Sequence, residues 1–243
     1  GDMLIVQHRD EGKTMLLEPL GPEDDKPAVM RQCLEMCGDA AEFARLHKGI
    51  AGRLESETGL KVTPDRNDFD YLYLADEMIH LHGRKFDGKR NFVNRFKSDY
   101  EYEYLKLDGA GANRCIEFAR NWCEDRSCEE VEGLRKEQCA VYRMLTHFDE
   151  LGIVGGAILV DGAIVAFALG EMLNPETIVI HVEKADATLP GLYQMINNEF
   201  CIHEAMEADY LNREQDLGVP GLRKAKLSYH PVRLIEAYTV TRA

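Results

Sequence analysis

The feature that most constrains the fold is a pair of strand-like segments joined at Asp161-Gly162. An Asp-Gly step between two apolar runs is the strongest short sequence signal for a tight β-hairpin. A third strand-like segment, 177–183, follows an Asn-Pro turn and alternates between two faces with a period of two residues. The second half of the chain is therefore built around a sheet.

Helical patterns flank these strands. Helices are predicted over residues 113–122, 128–145, 191–206 and 221–229, and further short strands over 210–212 and 233–239. The order is helix, helix, three strands, helix, strand, helix, strand, which indicates a mixed sheet flanked by helices. This order resembles the GNAT acyltransferase fold, so the expected fold class is α+β.

The first part of the chain has a similar order of elements. Its pattern predicts a hairpin turning at Glu11-Gly12, helices over 27–37, 43–57 and 90–100, and strands over 71–74 and 102–107. The glycine-rich segment 108–113 is interpreted as a linker. We therefore expect two tandem GNAT-like domains, an N-terminally truncated one over 1–107 and a second over 108–243, each with a mixed, mostly antiparallel sheet flanked by helices.

Composition excludes several classes of protein. Lys and Arg total 29 against 43 Asp and Glu, a net charge of -14, which argues against binding to duplex DNA. The longest apolar run, Leu151 to Val160, has ten residues and three glycines, too short to span a membrane. The seven cysteines lack disulfide-type spacing and are expected to be reduced, in a cytoplasmic protein. Because the chain opens with Gly1-Asp2-Met3, we expect the native protein to extend before Gly1.

Two basic segments interrupt the acidic background. Residues 83–97 carry a charge of +5 and residues 221–233 a charge of +4. Such clusters suggest recognition of an anion such as phosphate, and solvated helix faces are the alternative. If both segments line one cleft, the anion site is favoured. The candidate anion-binding residues here are Arg84, Lys85, Arg90, Asn94, Arg95 and Lys224.

Two polar groups of residues are candidates for chemistry. His181 and Glu183 share one face of the third strand, where either can act as a general base. A hydrogen-bonded buried histidine and a glutamate paired with Lys184 are the alternative. After the short strand at 210–212, the candidates to line a site, or simply to cap a turn, are Asn212, Arg213, Glu214 and Asp216.

Four segments together resemble a bacterial family similar to the C-terminal domain of phosphatidylglycerol lysyltransferase. They are residues 81–96, 181–186, 212–218 and 221–231. The resemblance covers nearly the whole chain and implies two tandem GNAT folds. It also implies transfer of an aminoacyl group from a charged tRNA to a lipid or a peptidoglycan precursor.

The resemblance assigns roles to particular residues. Arg90, Asn94 and Arg95 match the basic helix of the lysyltransferases. Lys226 matches the lysine of a late motif, with alanine replacing the phenylalanine before it, and so inherits a role in stabilising phosphate or developing negative charge. Tyr229 lies where many GNAT enzymes carry the acid that protonates the leaving group.

The acyl donor is the remaining question. The glycine-rich acetyl-CoA signature is replaced by Ala187-Thr-Leu-Pro-Gly191, and a proline offers no N–H to a pyrophosphate. We therefore predict aminoacyl transfer from the tRNA acceptor end to an amine or hydroxyl of a small molecule or a lipid headgroup. An acyl-CoA-dependent N-acyltransferase and a non-catalytic GNAT-fold binding protein are the alternatives. Beyond aminoacyl-tRNA or acyl-CoA as co-substrate, no cofactor is predicted. No metal is predicted either, since His80 and His82 lack a third ligand.

Overall fold

The computed structural model describes residues 3–10, 12–125 and 132–243. The chain divides into two compact units, one of residues 1–71, 215–225 and 234–243, the other of residues 72–214 and 226–233. These ranges differ from the boundary predicted between residues 107 and 108. The reason is that strand β6 (Tyr102–Lys106) pairs along its whole length with β7 (Val154–Val160), so it belongs to the sheet of the later residues.

The smaller unit is built on a five-stranded sheet. Its strands, in spatial order, are β1 (Gln7–Asp10), β2 (Lys13–Leu16), β3 (Ala41–His47), β12 (Ala237–Arg242) and β4 (Leu60–Pro64). Strands β1 and β2 form the predicted hairpin. Helices α1 (Lys26–Cys37) and α2 (Lys48–Leu54) pack on this sheet and bury, among others, Met30, Leu34 and Ile50.

The helix predicted over residues 43–57 is wrong in its first half. Residues Ala41–His47 form β3, parallel to β2 and antiparallel to β12, and only Lys48–Leu54 is helical. Phe43 and Leu46 are fully buried in the core of this unit. Pairing with two neighbouring strands outweighs the apolar spacing that suggested a helix, because strand preference depends mainly on tertiary context.

The larger unit is built on a seven-stranded sheet. Its strands, in spatial order, are β11 (Arg233–Ile235), β5 (Asp70–Leu74), β10 (Tyr210–Asn212), β9 (Thr177–Ala185), β8 (Ala163–Asn174), β7 and β6. Strands β9 and β10 are parallel, whereas the pairs from β6 to β9 are antiparallel. The hairpin at Asp161-Gly162 and the mixed, mostly antiparallel sheet are confirmed.

Seven further α-helices lie in the described part of the chain. They are α3 (Ala75–His80), α4 (Asp87–Asp99), α5 (Gly109–Glu124), α6 (Glu132–Thr146), α7 (Phe148–Leu151), α8 (Leu192–Glu204) and α9 (Pro220–Leu227). The predicted start of α6 at residue 128 lies outside the described residues. Among the described helices, none is both long enough and apolar enough to cross a bilayer.

The linker predicted over residues 108–113 is instead the beginning of α5. The Asp108 side chain caps this helix by accepting a hydrogen bond from the Gly111 N–H at 2.7 Å. A side chain at Gly111 would lie 3.1 Å from Leu107, so the glycine allows the helix to approach its neighbours closely. Glycine here serves packing rather than flexibility, which is why a composition rule for linkers fails.

Among the described cysteines, Cys123 differs from expectation. Cys33, Cys37, Cys115, Cys139 and Cys201 are free, whereas Cys123 is disulfide-bonded. The prediction of reduced thiols is therefore wrong for Cys123. In the part of the chain that the structure describes, no three His, Cys, Asp or Glu side chains are grouped to hold a metal ion.

Replacing Gly170 in β8 with alanine should destabilise the protein by about 1–3 kcal/mol. An added Cβ would lie 2.2 Å from the Val179 carbonyl oxygen of the neighbouring strand and 2.9 Å from Phe200. Urea denaturation measures the free energy of unfolding. Gly133→Ala on α6 is the control, because nothing lies within 4 Å of its added Cβ. Equal losses in both variants would contradict the steric argument.

Candidate functional site

The site in the larger unit is centred on an ion pair between neighbouring strands. Glu183 on β9 lies 2.5 Å from Arg213, which directly follows β10, and accepts a hydrogen bond from Asn197 Nδ2 at 2.8 Å. The two charged side chains are only 15% and 12% exposed. A buried charge needs a partner, so Glu183 compensates Arg213. Lys184, which the sequence analysis considered as a partner for Glu183, instead lies 2.7 Å from Glu137.

Arg213 packs against two tyrosine rings. Its guanidinium lies 4.9 Å from the ring centroid of Tyr229 and 6.0 Å from that of Tyr73. Burial lowers the pKa of Arg213, but Glu183 and the tyrosines raise it more, and the net shift is upward. Its Nε and Nη1 are buried and have no hydrogen-bond partner among the described residues. The guanidinium therefore has donors left for a negatively charged or carbonyl oxygen.

Lys89 lies against the same tyrosine. Its Nζ is 4.0 Å from the ring centroid of Tyr229 and donates a hydrogen bond to Ser228 Oγ at 2.6 Å. Burial, with a smaller contribution from the charge of Arg213, lowers the pKa of Lys89 to about 8. Burial raises the pKa of Tyr229, so its hydroxyl stays protonated at neutral pH and can donate a proton.

The two predicted basic segments contact each other within the larger unit. Lys89 of the first segment donates a hydrogen bond to Ser228 of the second. The rings of Phe86 and His230 also pack edge to face, with their centroids 5.8 Å apart. His230 Nε2 also lies 3.3 Å from the Lys85 carbonyl oxygen. The part of the second segment after residue 225 is thus held against the first.

Most of the charge of the first segment is neutralised locally. The ion pairs are Lys85–Glu77 at 2.7 Å, Lys97–Glu199 at 3.0 Å, Arg95–Asp99 at 3.2 Å and Arg90–Asp87. Arg90 also donates to the carbonyl oxygens of Leu81 and Gly83. Arg84, Asn94 and Lys224 are exposed. Lys89 was not among the candidates selected from the sequence, because its position beside Tyr229 and Ser228 is set by tertiary contacts.

Lys226 and Asn212 organise the backbone after β10. Lys226 is buried, and its Nζ donates to the carbonyl oxygens of Arg213 at 2.5 Å and Glu214 at 3.2 Å. The buried Asn212 accepts from the Glu214 N–H at 2.7 Å. These contacts fix the position from which the Arg213 side chain departs.

His181 lies between two carboxylates. Its Nδ1 is 2.7 Å from Glu214 Oε1 and its Nε2 is 3.1 Å from Glu171 Oε1. The hydrogen bond with Glu214 is the largest influence and raises the pKa of His181 despite burial. The charged form is therefore favoured, which makes this histidine a weaker candidate for a general base.

Asp216 belongs to the smaller unit and joins two cations there. It is fully buried and accepts from Arg223 at 2.8 Å, Arg66 at 3.1 Å, the Tyr71 hydroxyl at 2.5 Å and the Gly218 N–H at 2.9 Å. Burial alone would raise the pKa of Asp216, but the hydrogen bonds from Arg223 and Tyr71 hold it well below its usual range. Buried and bound by Arg66, Arg223 and Tyr71, Asp216 acts as a structural anchor of the smaller unit.

The sequence matches the family described as phosphatidylglycerol lysyltransferase, C-terminal, over residues 1–241. This chain belongs to that family. The resemblance inferred from the sequence is confirmed, and family membership supports an acyltransferase-like function.

Solved structures support the fold of this lysyltransferase-family protein. A conserved protein of unknown function from Bacteroides thetaiotaomicron is 36% identical, with a TM-score of 0.90 over 100% of this chain and 83% of that one. L-PGS from Bacillus licheniformis is 17% identical, with a TM-score of 0.69 over 100% and 81%. A tandem GNAT protein from the clavulanic acid biosynthesis pathway is 10% identical, with a TM-score of 0.51 over 97% and 77%. The last two show the fold alone, and the GNAT-like fold class is confirmed.

A curated relative is longer than this chain. An uncharacterized protein of Mycoplasmoides gallisepticum is 28% identical over 175 residues, which cover 70% of this chain and 55% of that protein. The match therefore spans about half the length of the curated relative.

The start of α8, where GNAT proteins bind coenzyme A, is closely packed in this family member. Gly191 has a φ of +88°, and an added Cβ would lie 2.6 Å from the carbonyl oxygen of Phe92 on α4. Pro190 supplies no N–H. Pyrophosphate binding at a helix start needs free, approachable N–H groups, and α4 covers this one on the side of Gly191.

Proposed function

We propose that this protein transfers an aminoacyl group from the acceptor end of a charged tRNA to an amine or hydroxyl of a small molecule or lipid headgroup. The observation that carries the proposal is a cluster in which Arg213, paired with Glu183, and Lys89 both lie against the ring of Tyr229. It combines a guanidinium that has donors to spare with a protonated phenol. These are the two groups that acyl transfer from an ester requires, one for the oxyanion and one for the leaving oxygen.

In this mechanism the acceptor atom attacks the ester carbonyl of the aminoacyl group. Arg213 stabilises the negative charge that develops on the carbonyl oxygen, because a preorganised cation away from water acts more strongly than one in solvent. Tyr229 protonates the departing 3′ oxygen of the tRNA. Glu183 and Lys226 act as positioning residues, since both hold Arg213 in place.

Charged tRNA is favoured over coenzyme A as the donor for two reasons. The start of α8 is covered by α4 and contains a proline, which leaves a pyrophosphate few N–H groups. The segment 83–97 offers exposed polar residues for the tRNA backbone, among them Arg84, Asn94 and Arg95. Its internal ion pairs limit the number of phosphate contacts, so modest affinity is expected.

A non-catalytic binding protein is the second candidate. The observation in its favour is that Glu183 and His181, the two predicted bases, are both engaged in ionic contacts. This candidate predicts binding of the same anionic ligand without turnover. Aminoacyl transfer assayed with radiolabelled charged tRNA and a mixture of phospholipid and amine acceptors distinguishes the two.

Charged tRNA should bind more tightly than acetyl-CoA, and its affinity should fall as salt rises. Each phosphate contact contributes about 0.7–0.9 to the slope of log affinity against log salt. Arg84→Ala should flatten the slope by about that amount, because Arg84 is exposed and forms no ion pair with the described residues. Filter binding over a salt titration measures this, with Arg114→Ala on α5 as an exposed control. Tight acetyl-CoA binding with no tRNA binding at low salt would reverse the assignment.

A further inference from the structure

Lys89 differs from the other basic residues of its helix. Arg90, Arg95 and Lys97 each contact a carboxylate, whereas Lys89 has no carboxylate within ion-pair distance among the described residues. It is half-buried, and its amine lies between the Ser228 hydroxyl and the face of the Tyr229 ring. A lysine held inside without a counter-ion has an energetic cost, which makes a purely structural role a poor explanation.

The groups around this amine favour its neutral form. Arg213, which follows β10, is the cation near the Lys89 amine. Glu183 on β9, the carboxylate that could compensate the charge of Lys89, is paired with Arg213 instead. From the segment after α9 the amine meets Ser228 and Tyr229, and Tyr73 on β5 faces Arg213 and Tyr229. On α4 itself, Arg90 is paired with Asp87. Burial and a like charge both lower the pKa of a lysine, here to about 8.

We propose that Lys89 is the general base of the acyl transfer and that Ser228 positions its amine. This inference rests on the proposed function. The Lys89 amine takes the proton from the acceptor amine or hydroxyl as that atom forms its bond to the acyl carbon. The ester C–O bond breaks, and Tyr229 gives its proton to the leaving oxygen. Lys89 then releases its proton to solvent and the Tyr229 phenolate takes one up from solvent. Both groups thereby return to their starting protonation states.

The arrangement supplies a base and an acid on one tyrosine ring. Environments that separate the pKa values of neighbouring groups define which one accepts and which one donates a proton. Tyr229 stays protonated because burial raises its pKa, while burial and the charge of Arg213 lower the pKa of Lys89 to about 8. Glu183 and His181 fit the base role less well, since each is held by an opposite charge.

The titration of Lys89 can be measured in the protein alone. Competitive acetylation with acetic anhydride over a pH range, read by peptide mass spectrometry, gives the midpoint for each lysine. We expect a midpoint for Lys89 about two units below the value of about 10.4 for a free lysine side chain. Arg213→Met should raise that midpoint, because the like charge is removed. A midpoint for Lys89 near 10 would overturn the proposal, whatever the protein transfers.

Activity then separates this inference from the proposed function. Lys89→Arg keeps the positive charge but cannot lose a proton, so transfer from charged tRNA should fall on the order of 100-fold while tRNA binding is kept. Ser228→Ala should shift the pH of half-maximal rate with a smaller loss. Transfer that persists in Lys89→Arg with the wild-type pH profile overturns the role of Lys89 alone. Absence of transfer in the wild type at every pH refutes the proposed function and the base role with it.

Discussion

Glu183→Gln will destabilise the protein by about 3–5 kcal/mol, because removing one partner of a buried ion pair leaves the other charge uncompensated. Arg213 is only 12% exposed, and Glu183 is the carboxylate that pairs with it. Asn197 also loses the charged acceptor of its hydrogen bond. The free energy of unfolding from urea denaturation measures the effect.

The matched control removes both charges. In the double variant Glu183→Gln with Arg213→Met, most of the lost stability should return, because no uncompensated charge is left buried. A double-mutant cycle isolates the coupling between the two side chains. A loss below about 1 kcal/mol in Glu183→Gln would show that solvent screens the pair as it does on a surface.

Asp216→Asn is expected to have an effect of similar size in the smaller unit, about 3–5 kcal/mol. The carboxylate is completely buried and accepts hydrogen bonds from Arg66, Arg223 and Tyr71. An asparagine keeps the shape but removes the charge that holds both guanidinium groups. Urea denaturation again measures the loss. Asp99→Asn is the control, since its ion pair with Arg95 is exposed and should contribute less than about 1 kcal/mol.

The same carboxylate predicts how stability depends on pH. Its pKa is lower in the folded protein than in the unfolded chain, so the unfolded state binds the proton more readily. The contribution of Asp216 is complete above its unfolded pKa, about 3.9, and is lost as pH falls towards the folded value. Stability of the wild type should fall in this acid window, and Asp216→Asn should show a flatter profile there. Parallel profiles would place the titration elsewhere.

Local sequence patterns were sufficient where tertiary contacts agree with them. The hairpin at Asp161-Gly162, helix α1 beginning beside Pro27 and strand β9 were all predicted from turn chemistry and apolar spacing. The pattern failed over residues 41–47, where pairing with β2 and β12 selects a strand. It failed again at Asp108, where glycines that suggest a linker allow close helix packing.

The sequence by itself determined the family, the fold class and the two basic segments, because these depend on residue identity and order along the chain. It could not determine that Lys89 is half-buried with no carboxylate within ion-pair distance among the described residues. Lys85 and Lys89 lie four residues apart, yet one pairs with Glu77 and the other lies beside Ser228 and Tyr229. Only the tertiary structure decided this, because the groups that set the charge of Lys89 come from more than 120 positions away along the chain.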